Sequence, residues 1–174
     1  MILTQNSGST AKEWEQPKVG SYKAVCVDVI DKGWKQTEWQ GEIKSQHKVR
    51  LVWQIDCETT AGEPMMCGKT VTLSMGKNAK LREILSSWRG RDFTAQELAD
   101  GFDLDRVINA QAQVIINDFE TTEGEKRTFV ANVLRPEEGQ NIESNPSYKR
   151  MKDREDWVEP GQEAEVVEDT EVPF

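Results

Sequence analysis

The stretch Lys48-Val49-Arg50-Leu51-Val52-Trp53-Gln54-Ile55-Asp56 alternates without a break. Val49, Leu51, Trp53 and Ile55 share one parity, and Lys48, Arg50, Val52 and Gln54 share the other. That period of two predicts a strand with one face in a core and one face outward. Upstream, Tyr22 to Ile30 is rich in β-branched residues, with Val25, Val27 and Val29 expected on one face. Downstream, Thr59-Thr60-Ala61-Gly62-Glu63-Pro64 is turn material. Lys69 to Met75 then reads as a third strand, with Val71, Leu73 and Met75 inward and Thr70, Thr72 and Ser74 outward. Residues 31–47 contain Gly33 and Gly41 and hold no sustained pattern, so they read as a long loop or a ragged extension of a hairpin.

The period changes after the third strand. Leu81, Ile84, Leu85 and Trp88 fall at i, i+3, i+4 and i+7, which predicts an amphipathic helix ended by Gly90. Thr94-Ala95-Gln96-Glu97 matches a capping box and predicts a second, short helix. Ala110 to Phe119 reads as a fourth strand, Thr121 to Arg127 as a Gly-containing hairpin turn, and Thr128 to Leu134 as a fifth strand. Five short strands with a helical insert between the third and fourth give the element order of the five-stranded OB-fold barrel. The chain is therefore expected to be all-β dominated. Residues 1–18 read as a flexible arm, 19–139 as the barrel domain, and 140–174 as a disordered acidic tail.

The charge divides along the same boundaries. The 174 residues carry 22 bases and 31 acids, a net charge of −9, which taken whole argues against a nucleic-acid partner. Residues 155–174 hold eight of the acids and no base, so the other 154 residues are nearly neutral. Mean hydropathy is −0.70, and no apolar run approaches the roughly 20 residues of a membrane span. Met1 to Asn6 shows no basic region followed by an apolar stretch, so no export signal is expected. Three cysteines, Cys26, Cys57 and Cys67, cannot all pair within one chain, and reduced thiols are expected.

In this fold the binding face is built around the second and third strands and the loops joining strands 1–2 and 4–5. There the sequence places Lys48, Arg50 and Gln54, then Lys69 and Thr72. Cations and hydroxyls on a sheet face suit phosphates. The first loop adds Trp34, Lys35, Trp39 and Lys44, and indoles among lysines suit stacked bases beside a backbone. Residues 69–91 hold six bases, Lys77 and Lys80 among them, against one acid. The last hairpin adds Lys126, Arg127 and Phe129. Trp53 and Trp88 share parity with core residues and are read as structural, whereas Trp14 and Trp157 lie in the arms without an assigned role.

The chain ends Glu168-Asp169-Thr170-Glu171-Val172-Pro173-Phe174. An apolar terminus behind acids is a handle for a pocket with a basic rim. This end resembles the tip of bacterial single-stranded DNA-binding proteins, in which several acids precede Ile-Pro-Phe. Glu168, Asp169 and Glu171 stand for the acids, Val172 for Ile, and Pro173 and Phe174 match directly. Body and tip together look like a bacteriophage single-stranded DNA-binding protein that imitates the host tip. The resemblance implies single-stranded DNA as ligand, replication and recombination proteins as partners of the tip, and the cytoplasm of a bacterial host. It leaves homo-oligomers possible. A polyanionic tail would also compete with nucleic acid for the protein's own cationic groove.

Other functions have weaker support. His47, Cys57 and Cys67 do not complete a four-ligand zinc site, and no Cys-x-x-Cys pair exists, so neither metal nor cofactor is expected. No phosphate-cradling Gly-rich motif and no nucleophile signature is present, so no enzymatic activity is expected. The remaining rival is a protein–protein adaptor of the replication machinery that keeps the tail but binds no DNA.

Overall fold

A computed structural model describes residues 15–139 and 141–160, and the backbone of 165–166. The strands are β1 (Gly20–Trp39), β2 (Glu42–Glu58), β3 (Pro64–Thr72), β4 (Gln111–Glu120) and β5 (Lys126–Leu134), with a two-residue β6 (Glu165–Val166). Helices α1 (Lys80–Arg89) and α2 (Ala95–Asp100) lie between β3 and β4. Five antiparallel strands form one sheet in the order β3-β2-β1-β4-β5, and β6 adds to β1 in parallel. No backbone ladder joins β3 to β5 among the described residues. Instead the Lys69 ammonium on β3 donates to the Val130 carbonyl on β5 at 2.7 Å.

The alternation in β2 does what its period requires. Val49, Leu51, Trp53 and Ile55 enter the main core, where Ala112, Val114 and Ile116 of β4 meet Val130 and Val133 of β5. Leu81, Ile84, Leu85 and Trp88 of α1 join them, and the Trp53 and Trp88 rings meet edge to face at 5.8 Å. Each such side chain contributes ~1.5–3 kcal/mol on burial. Gly90 ends α1 in the left-handed conformation, with its N–H on Ser86 O. The capping box at Thr94 and Glu97 opens α2.

Four sequence expectations need correction. First, of the two readings open for residues 31–47 the loop is excluded and the hairpin extension holds, though it is regular rather than ragged. β1 and β2 continue as a regular two-stranded arm to Trp39 and Glu42, closed by the two-residue turn Gln40-Gly41. Both turn residues have positive φ, 50° and 80°, as a tight hairpin turn requires. Second, the one-face pattern of β1 fails. A bulge between Cys26 and Asp28 shifts the register, so Val25 and Val27 face outward while Val29 packs toward the main core. Third, β3 stops at Thr72, and Leu73 is 43% exposed rather than in the core.

Fourth, the ordered chain does not end at 139 or begin at 19. Ile142, Tyr148, Met151 and Trp157 pack on Val25, Val27, Ile30 and Val52, forming a second apolar cluster on the outer face of β1 and β2. Its anchor is Asp28, 1% exposed. The carboxylate accepts from Val29 N (2.9 Å), Tyr148 Oη (2.9 Å), Met151 N (2.8 Å) and Arg150 Nε (3.2 Å). A buried charge this fully bonded can be retained where a bare one could not. Burial and then the bond to Asp28 push the Tyr148 phenol up to about 12. At the other end, Glu15 binds Thr60 N and its hydroxyl, Gln16 binds Thr128, and Pro17 is buried. The sequence hides both straps because their partners, Thr60 and Thr128 for one and Asp28 with the apolar outer side of β1 and β2 for the other, lie far away in the chain.

Burial pushes the Cys26 and Cys67 thiols up to about 12, so native alkylation at pH 8 should leave both largely unmodified. Rapid labelling of Cys26 would contradict the packing. Asp28→Ala leaves the Arg150 charge without its buried partner and should destabilise the protein by about 3–5 kcal/mol. Tyr148→Phe, which removes one hydrogen bond, should cost about 1 kcal/mol. Tryptic cleavage at Lys149 or Lys152 in Asp28→Ala no faster than in the wild type would contradict the latch.

Candidate nucleic-acid interface

The strap over β1 and β2 divides the outer face of the sheet. Gln54 falls on the covered side and is 6% exposed. Its amide donates to Glu143 O at 2.9 Å and accepts from Asn145 N at 2.7 Å, so it holds the strap and is not available to a ligand. That removes Gln54 from the expected binding set. Farther along β2 the face is uncovered. Arg50 pairs with Thr70, and Lys48 with Thr72, across the β2–β3 ladder. Lys48 Nζ donates to Thr72 Oγ1 at 2.8 Å, and Thr72 in turn reaches Gln46 Oε1 at 3.3 Å. Burial holds the Lys48 ammonium below its ordinary range.

Arg50 Nη1 donates to Thr70 Oγ1 at 3.3 Å, and its guanidinium lies over Gly68. A Cβ at that glycine would stand 2.7 Å from Arg50 Nη2, so the bare backbone is what admits the flat cation. Among the described residues neither Lys48 nor Arg50 makes an ion pair.

The arm carries this face outward. Its register puts Lys35, Trp39 and Lys44 on the parity of Lys48, and Trp34 on the opposite parity with His47. Trp39 ends β1 and is 70% exposed. Trp34 is 39% exposed and stacks on His47, with centroids 5.2 Å apart and planes at 25°. His47 Nε2 lies 2.6 Å from Asp31 Oδ1. The two indoles therefore belong to different faces of the arm, a division invisible while residues 31–47 are read as a loop.

Lys69 also departs from the outer set. Its partner across the ladder is the fully buried Leu51, so its stem starts on the inner side and its ammonium spans the β3–β5 seam. Burial and the neighbouring Lys80 charge hold it below the usual lysine range. Phe129 is 40% exposed and meets Phe119 edge to face at 5.8 Å, with the Lys69 ammonium 5.7 Å from its centroid. Arg127 pairs with Phe119 across β4–β5 and is 3.5 Å from Glu125, while Lys126 is exposed opposite Glu120.

Four of the six bases expected as a cationic patch over 69–91 are engaged by carboxylates, two of which lie beyond that window. Arg82 pairs with Asp92 at 3.0 Å, and Arg89 and Arg91 pair with Glu97 at 2.7 and 3.3 Å. Lys80 pairs with Glu83 at 3.0 Å. Lys77 is exposed beside this network, in the turn between β3 and α1. Glu168, Asp169, Glu171, Val172, Pro173 and Phe174 lie outside the described residues.

No sequence pattern marks Gly68 or Gln16, which matter only through neighbours on other strands. Among the described residues no helix is long and apolar enough to cross a membrane. No protein-family model matches the chain, and comparison with curated proteins finds no match.

The ion pairs of the helical insert have a pH signature. The Arg82 guanidinium, then Phe93 N–H, lower the Asp92 carboxyl to about 2, and Arg89, then Thr94 N–H, do the same for Glu97. A depressed carboxylate stabilises the fold fully above its unfolded value, and that contribution fades as pH falls through the folded one. NMR carboxyl titrations should therefore give midpoints near 2. Ordinary midpoints near 4 would mean these arginines are free for a ligand.

Proposed function

We propose that this protein binds single-stranded DNA without sequence preference on the outer face of β2–β3 and the arm. It would act in phage DNA replication and recombination in the cytoplasm of a bacterial host. The observation that carries the reading is a contrast in how cations are held. Arg82, Arg89, Arg91 and Arg150 are each engaged by carboxylates, whereas Lys48 and Arg50 are oriented by threonine hydroxyls. Hydroxyl-held cations keep their charge for phosphates. Phe129 across the seam from Arg50, and Trp39 at the far end of the arm, supply exposed π-faces for bases.

The sheet order supports an OB-type barrel. β3 and β5 are the two free ends of the order β3-β2-β1-β4-β5, and Lys69 bridges them where a barrel would close. Helix α1 follows β3 and packs into the core beside β4, as the helical insert of such a barrel does. The tip Glu168, Asp169, Glu171, Val172, Pro173 and Phe174 would recruit replication and recombination proteins, as its resemblance to the bacterial tip implies. Because Ile142, Tyr148, Met151 and Trp157 belong to the strap, the tail expected from 140 cannot be removed whole, and a deletion that tests the tip has to spare them.

Titration with oligo-dT should quench tryptophan emission and weaken with salt. Trp39→Ala should cost about 1–3 kcal/mol of binding. Lys48→Met and Arg50→Met should each reduce the slope of log affinity against log salt by about 0.7. Gly68→Val, which displaces the Arg50 guanidinium, should mimic Arg50→Met. Absence of any oligo-dT binding by wild type would favour the adaptor instead. Deleting 161–174 should abolish pull-down of host replication proteins while oligo-dT binding persists or tightens at low salt. Unchanged pull-down would remove the role of the tip.

A further inference from the structure

A groove of about 250 Å³ runs along the β3–β5 seam. Its walls include Arg50 and Gly68 on one side, Phe129 and Val130 on the other, and Gln16 and Pro17 of the N-terminal strap. Its size falls just below the ~300–1,000 Å³ typical of sites for drug-sized ligands. That volume suits one planar group better than a longer molecule. Two of its walls offer flat faces. The Arg50 guanidinium lies along the backbone of Gly68, and the Phe129 ring is 40% exposed.

The third wall offers directionality. Gln16 Oε1 accepts from Thr128 N at 2.7 Å and from the Thr128 hydroxyl at 3.2 Å. Both bonds fall on the amide oxygen, which fixes the orientation of the side chain. The amide nitrogen is then left as a donor with no partner among the described residues. A ring carbonyl or ring nitrogen of a nucleobase is the kind of acceptor this donor fits.

We infer that the seam groove is a pocket for a single nucleobase, stacked between Arg50 and Phe129 and hydrogen-bonded by the Gln16 amide. It deepens the single-stranded DNA reading by giving one nucleotide of the bound strand a fixed seat. It also gives the N-terminal strap a role in recognition. A guanidinium plane and an aromatic ring both stack on bases, and the Gln16 donor adds a hydrogen bond to the base edge.

The probe is thymidine, which has no phosphate and so reports the base site apart from backbone electrostatics. Titrated into the full chain and followed by ¹⁵N–¹H NMR, it should shift the Gln16 side-chain amide and the backbone amides of Gly68, Phe129 and Val130. Gln16→Glu keeps an oxygen for Thr128 N–H but removes the donor, and should weaken thymidine about fivefold. Phe129→Ala should weaken it at least about fivefold by removing the stacking face. Oligo-dT binding with no thymidine response at the seam would overturn the pocket and leave the DNA reading standing. Shifts confined to the arm around Trp39 would overturn it equally. Thymidine shifts at the seam without oligo-dT binding would keep the pocket and remove the DNA reading.

Discussion

The buried Asp28 carboxylate is the constraint on which the exposed surface of this protein depends. The bulge at Val27 turns Asp28 and Val27 to the same side of β1 as Val25 and Ile30. A carboxylate there needs donors, and the chain supplies them from 120 residues away, at Tyr148, Arg150 and the Met151 amide. Once those contacts form, Ile142 and Trp157 are drawn over the apolar outer side of β1 and β2. What remains open on that side is the β2–β3 portion that carries Lys48, Arg50, Thr70 and Thr72.

A net charge of −9 conceals three electrostatic environments. In the helical insert, arginines and carboxylates pair around Asp92 and Glu97, and these groups fasten α1, α2 and their connection to one another. Beneath the strap, Arg150 compensates Asp28 and touches Asp105. On the β2–β3 face, hydroxyls align the cations without neutralising them. Counting charges in a window of sequence cannot separate these cases. Asp92 and Glu97 lie just beyond the window that looked cationic, and they engage three of its arginines.

Local pattern was legible where one face of an element meets one core. The alternation of Val49, Leu51, Trp53 and Ile55 and the helical stripe of Leu81, Ile84, Leu85 and Trp88 both describe the observed packing. The same reasoning failed in β1, because that strand is covered on both faces and carries a bulge, so a single-face parity does not exist there. It failed again at Gln54, which shares parity with Arg50 but lies under the strap. Trp34 and Trp39 looked alike in sequence, and five residues of regular strand placed them on opposite faces.

The sequence by itself determined the five main strands, their order around the helical insert, the Gly90 cap of α1 and the capping box of α2, and the core identity of Trp53 and Trp88. These follow from periodicity and local hydrogen bonding, which neighbouring residues encode. Only the tertiary structure decided which outer-face residues stay open, which cations keep their charge, and that residues 15–17 and 141–160 belong to the folded body. Those outcomes rest on single polar contacts between residues far apart in the chain, such as Asp28 with Tyr148 or Gln16 with Thr128. No local pattern announces such a contact, because neither partner repeats and each finds its place only after the sheet has formed.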